Sequence, residues 1–169
     1  MKIRLLLLAF TLAVPAVPAT VYAADVPQQD KQWVKTTYQV TLAAIKAGKA
    51  AKSKGESAIV DKVAEKIMAD DKHLKTKLET LAHDMNISLP KSTSPKLESS
   101  LQMVKSKSGA KFDKLWTKTM LKTEIMAGNK TQKEVAEGKS HKVKKLAMKT
   151  LPTINLEANM LQHAMAKLK

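Results

Sequence analysis

The chain has 169 residues and carries 30 lysines and arginines against 15 aspartates and glutamates, a formal net charge of +15. It has no cysteine and only 4% aromatic residues, which excludes a disulfide scaffold, a thiolate metal site, a c-type haem and a cysteine nucleophile. Glycine and proline are too scarce for a collagen-like or low-complexity chain, and the length suits one domain with a real core.

Lys2 and Arg4 precede a mostly Leu/Ala run from Leu5 to Val14, followed by Pro15, Pro18 and the small-residue pattern Val21-Tyr22-Ala23. This layout predicts a secretory signal peptide over residues 1–23, cleaved after Ala23. The apolar run is shorter than the roughly 20 residues a spanning helix needs. Export to the periplasm or beyond is therefore expected, with no membrane anchor after cleavage. Cleavage removes the only arginine, Arg4, and Lys2, so the formal charge falls from +15 to +13 and rests on lysine alone. Residues 24–30, polar and containing Pro27, read as a flexible lead-in.

Residues 31–169 read as a single all-α domain. The first helix is expected from Lys31 to Ser53, with Val34, Tyr38, Thr41, Ile45 and Gly48 on one face. Lys54 to Ser57 form a turn, with Ser57 placed to cap the next helix. The second helix is expected from Ala58 to Asn86, with an apolar stripe from Val60 through Ile67 and Leu78 to Met85. A loop containing Leu89-Pro90 leads to a short helix from Lys96 to Lys105. The third long helix runs from Ala110 to Glu137 through Phe112, Trp116, Met120 and Thr131, and Gly138 ends it. The fourth runs from Ser140 to Leu168 through Val143, Ala147, Ile154 and Leu161. Pro152 lies inside it and predicts a kink between Met148 and Pro152. Four amphipathic helices with short connections can bury their stripes only against one another, so the expected fold is a four-helix up-down bundle with a short extra helix between helices two and three. No internal repeat and no phosphate-binding glycine loop is apparent.

Three carboxylates interrupt the apolar stripes. Asp71 falls in the row Ile67, Leu74, Leu78. Glu124 falls between Met120 and Ala127. Glu157 falls between Ile154 and Leu161. Inward carboxylates from three helices could bind Fe, Mn or Zn, as in carboxylate-bridged bundles. Otherwise they sit at stripe edges and pair with lysine, for which Lys75, Lys118 and Lys122 are the candidates, because a buried carboxylate needs a counter-charge or a proton. Asp70 and His73 share a face and imitate one arm of a di-iron motif, or form a solvated ion pair. Met160, His163 and Met165 offer soft ligands of the kind Cu(I) prefers, but Met165 points elsewhere and methionine is a common core filler. No Ser-His-Asp set or nucleophile-elbow motif is present, and no catalytic residue is assigned.

Four strings occur in order along the mature chain: Met68-Ala69-Asp70-Asp71, Leu89-Pro90, Ser108-Gly109-Ala110-Lys111-Phe112-Asp113 and Lys149-Thr150-Leu151-Pro152-Thr153. Behind a signal peptide, this order resembles a bacterial exported family of unknown function, whose members are often labelled outer membrane proteins. The resemblance implies a ferritin-like four-helix bundle. It also implies a pattern of one glutamate, two Asp-His pairs and a final histidine. The matching positions here are Ala44, then Asp70 and Asp71, then Thr123 and Glu124, then Glu157. The glutamate is absent, and all three histidine positions hold carboxylates.

Lysines cluster in two places. Lys46, Lys49, Lys52 and Lys54 end the first helix, and Lys139, Lys142, Lys144, Lys145 and Lys149 occupy the start of the last. Charge of this density attracts polyanions. Without mature arginine there is no bidentate phosphate or guanine recognition, and aromatics are too few for base stacking, so no specific nucleic-acid partner is expected. The expected partner is an anionic envelope surface, either lipid headgroups or acidic polysaccharide. The expected function is a non-catalytic envelope protein without a cofactor. The alternative is a metal-binding or redox bundle with a degenerate carboxylate site.

Overall fold

The computed structural model describes residues 25–168; the expected signal peptide lies outside the described residues. Five helices follow in order: α1 (Gln28–Lys54), α2 (Ala58–Asp84), α3 (Pro95–Lys105), α4 (Gly109–Glu137) and α5 (His141–Lys167), with no strand among the described residues. Long amphipathic runs bounded by Gly55, Asn86 and Gly138 explain the helix limits, and four of the five starts fall within one residue of expectation. The exception is α1. It begins three residues earlier, at Gln28, and Asp30, expected in a flexible lead-in, is completely buried. The lead-in fails as an expectation because Asp30 has structural partners far along the chain, in the turn between α4 and α5.

Trp33 near the start of α1 donates its indole N–H to Thr131 late in α4 at 3.1 Å. Trp116 near the start of α4 donates to the carbonyl of Ala47 late in α1 at 3.0 Å. The two helices are therefore antiparallel neighbours. On the opposite side, Val60 and Val63 at the start of α2 share a buried cluster with Leu161 and Ala164 at the end of α5. Every long helix is antiparallel to both neighbours. The chain achieves this by a crossover over residues 85–108, containing α3, which returns along the bundle so that α4 runs in the same direction as α2. The crossover is pinned to α1 at Glu98, which accepts from Lys46 at 3.0 Å and Thr93 at 2.8 Å.

Apolar residues gather in two separate clusters. One joins Ala44, Ala47, Val60, Ile67, Phe112, Trp116 and Leu161 at one end. The other joins Trp33, Val34, Leu78, Leu81, Val143 and Ala147 at the other. Between them lies a polar layer. Pro152 does not end α5, which is helical on both sides of it; the proline removes one backbone donor from the ladder.

The packing uncovers an internal repeat that is not apparent from the sequence alone. Asp30-Lys31-Gln32-Trp33 recurs as Asp113-Lys114-Leu115-Trp116, and Gly55-x-Ser57-x-x-Val60 recurs as Gly138-x-Ser140-x-x-Val143, both 83 positions later (30 to 113, 55 to 138). Ala64 and Ala147, and Leu78 and Leu161, obey the same offset and are all completely buried. Each repeated aspartate caps the turn of the other hairpin. The carboxylate of Asp113 accepts the N–H groups of Glu56 and Ser57 at 3.1 and 2.9 Å. The carboxylate of Asp30 accepts those of Lys139 and Ser140, each at 3.1 Å. Ser57 stands at the N-cap of α2, but its side chain makes no capping bond. Its counterpart Ser140 accepts from Val143 N at 3.4 Å.

Gly138 caps α4 as expected, though not because of a left-handed conformation: its φ is −56°. A Cβ there would collide with Oε1 of Glu134 and lie 2.5 Å from that residue's carbonyl. Close approach of a buried carboxylate is what requires glycine.

Candidate functional site: a carboxylate-lined cavity at mid-bundle

The polar layer surrounds a cavity of about 280 Å³ bounded by α1, α2, α4 and α5. Asp71, Glu124 and Glu157 all line it, as does Thr41. Their exposures are 8%, 3%, 4% and 1% respectively. Each lies on an otherwise apolar helical face, so the helices that bury their stripes necessarily carry these groups inward. The three carboxylates that interrupt the stripes thus share one cavity.

The lysine partners expected for them do not arrive. Lys75 pairs with Glu79 at 2.6 Å, and none of the described residues forms an ion pair with Asp71, Glu124 or Glu157. Asp70 pairs with Lys66 one turn back rather than with His73, because the two lie on the same outer row of α2. His73 is exposed at the cavity mouth with Lys77 and Lys149. Oε1 of Glu157 and Oγ1 of Thr41 are buried without a hydrogen-bond partner among the described residues.

The electrostatics follow from this geometry. Burial and the neighbouring Asp71 push the Glu124 carboxyl up to about 8. Burial, Glu124 and the adjacent Asp70 push Glu157 up to about 9. Burial and Glu157 hold Asp71 well above the usual carboxylate range, while the Thr41 hydroxyl opposes this from a position short of hydrogen-bond geometry. Desolvation penalises the ionised form, and like charges sharing a site penalise it further. Near neutral pH the cluster keeps most of its protons.

Carboxylates from three helices could hold a metal, so the donor set bears testing against one. Among the described residues, no group of three or more His, Cys, Asp or Glu side chains has the spacing to hold a metal ion. The residues present do not fit a metal centre. The soft set does not assemble either, since Met165 is 43% exposed, His163 is exposed and Met160 packs against the core.

A second buried carboxylate pair was not foreseen from the sequence. Glu134 is 1% exposed, and burial together with Asp30 beside it raises its carboxyl to about 7. The spacing Ala127–Thr131–Glu134 carried the signal, since it places Glu134 on the buried face. This pair is occupied with fixing the α4–α5 turn.

The basic surface divides in two. In the first cluster, Lys46 pairs with Glu98 and Lys52 with Glu65, while Lys49 and Lys54 have no ion-pair partner among the described residues. In the second, none of Lys139, Lys142, Lys144, Lys145 and Lys149 has an ion-pair partner among the described residues. All but the half-buried Lys144 are exposed. No acidic residue stands in the first turn of α5, so Lys139, Lys142 and Lys144 face the positive end of the helix dipole uncompensated by their own helix, while Lys145 and Lys149 lie further along α5.

A bundle of two helical hairpins joined by a crossover, with a carboxylate layer between two apolar clusters, defines the class. Residues 15–164 match the model of a family described as a domain of unknown function, DUF4142, and the chain belongs to that family. It is similar in fold to the crystal structure of a DUF305 fragment from Deinococcus radiodurans, with a TM-score of 0.75 and 13% identity over 85% of this chain and 99% of that one. No curated protein matches the chain. Among the described residues no helix is long and apolar enough to cross a membrane.

Proposed function

We propose that this is an exported, non-catalytic protein of the cell envelope whose lysine-rich face contacts anionic components, either lipid headgroups or acidic polysaccharide. The observation that carries this reading is the unpaired state of Lys139, Lys142, Lys144, Lys145 and Lys149. Lysines placed for stability would be paired, as Lys46 and Lys52 are, and would avoid a helix N-terminus. None of the five forms an ion pair among the described residues, and Lys139, Lys142 and Lys144 stand at the α5 N-terminus; Lys144 alone has a structural partner, the Ala136 carbonyl. Export rests on the N-terminal layout, and contact by lysine alone suits diffuse, salt-sensitive attraction rather than recognition of one phosphate geometry. The crossover and the antiparallel order support a ferritin-like assignment, since bundles of that kind carry one long crossover.

Sedimentation with anionic and with neutral liposomes, and retention on an acidic polysaccharide matrix, tests the proposal. Binding to an anionic surface that weakens steadily with salt is the expected result. No binding to either surface at low ionic strength overturns it. The alternative reading of the carboxylate layer as a site for Fe, Mn or Zn has only the shared cavity in its favour, and calorimetric titration of the metal-free protein with each ion tests it.

A further inference from the structure

The cavity at mid-bundle meets the lysine face only at Lys149, on its rim. Three carboxylates from α2, α4 and α5 are buried along its walls, and no lysine or histidine among the described residues comes within pairing distance. The hydroxyl of Thr41, from α1, is also buried there without a partner. Unsatisfied buried groups of this kind cost stability and are uncommon without a reason. The remaining wall is apolar and includes Val40, Leu74 and Ile154. At about 280 Å³ the space is far larger than a bare ion requires and stands at the lower edge of small-molecule sites.

We propose that this cavity binds a small aliphatic ammonium ion, a primary amine or short diamine, whose three N–H groups donate among the carboxylates of Asp71, Glu124 and Glu157 and the hydroxyl of Thr41, and whose methylenes lie against Val40, Leu74 and Ile154. An ammonium group fits where a metal does not. It has three donors fanned at tetrahedral angles and can reach acceptors too far apart to share one metal ion. Its positive charge also favours the ionised form of these carboxyls, which burial otherwise opposes. The alkyl chain accounts for the apolar wall, for which a metal ion has no use. In a diamine, the second nitrogen extends toward Asp70 at the mouth, past Lys77 and Lys149.

The experiment uses the full mature protein at mildly alkaline pH, with n-butylamine and 1,4-diaminobutane as probes. The controls are 1-butanol, Mn²⁺ and Zn²⁺. Calorimetry and thermal melting are the readouts. The amines are expected to bind and raise the melting temperature, and 1-butanol is not. Glu124→Gln with Glu157→Gln keeps shape and removes charge, and is expected to weaken amine binding by at least about tenfold, the scale of one lost charge-assisted hydrogen bond. Thr41→Val is expected to weaken it by a smaller factor while leaving the carboxylates in place. Three results overturn the proposal: no amine binding at millimolar concentration, equal binding by 1-butanol, or amine binding unchanged in the double variant. Binding of Mn²⁺ or Zn²⁺ with no amine binding also overturns it and assigns the cavity to a metal.

Discussion

At the scale of single residues, the buried carboxylates set how stability varies with pH. Glu124 and Glu157 hold their protons up to about 8 and about 9 in the folded chain, against an ordinary value of 4.5. Between those limits the native state binds more protons than the unfolded state, so their contribution to stability falls as pH rises. It is complete below about pH 4.5 and is lost through about pH 8 to 9. Glu124→Gln mimics the protonated acid. At about pH 5 it should melt near the wild type. At about pH 9 it should be more stable by roughly 4 kcal/mol, since each tenfold change in proton affinity is worth about 1.4 kcal/mol. Circular dichroism melts across this range check it. Parallel profiles for variant and wild type would mean that Glu124 is ionised at neutral pH.

At the scale of elements, the turns between helices depend on groups supplied from elsewhere. Asp113→Ala removes the acceptor of Glu56 and Ser57, and should cost about 2 kcal/mol, the scale of lost bonds to a charged group. Gly138→Ala should cost a similar amount, because its Cβ would run into the Glu134 side chain and must displace a buried carboxylate. At Gly55 a Cβ would lie 2.6 Å from Oδ1 of Asp113. Gly55→Ala should therefore be less harmful in an Asp113→Ala background than alone, a coupling that a double-mutant cycle in denaturant reads directly.

Helix existence, limits and buried faces were legible because a 3.6-residue period is a local signal. That Asp71, Glu124 and Glu157 interrupt the apolar stripes was legible for the same reason. Asp30 was not, because Pro27 and the surrounding polar residues look like a free tail, and its partners lie more than a hundred residues away. Nor could periodicity decide whether lysine would reach the carboxylates, since it gives the face of a helix and not its rotation against a neighbour. The repeat was hidden because only the turn residues and their caps are kept, while the intervening helical surface has diverged.

At the scale of the whole molecule, charge is unevenly spent. The lysines of α1 are partly offset by Glu65 and Glu98, whereas those of α5 are not. Replacing Lys142, Lys145 and Lys149 by glutamine should flatten the salt dependence of binding to anionic liposomes, because fewer counterions are exchanged. It should not lower the melting temperature, because the three are exposed without ion-pair partners among the described residues and Lys142 leaves the positive end of a helix dipole. Loss of stability without loss of binding would instead give these lysines a structural role.

The reciprocal caps also bear on assembly. Neither hairpin satisfies its own turn: the first needs Asp113 from the second, and the second needs Asp30 from the first. The bundle is in this sense a dimer of hairpins tied into one chain, with residues 85–108 as the tether. Shortening that tether should leave each hairpin seeking its complement on another molecule. The product would be an exchanged dimer in which every cap, tryptophan bond and carboxylate layer is rebuilt between chains.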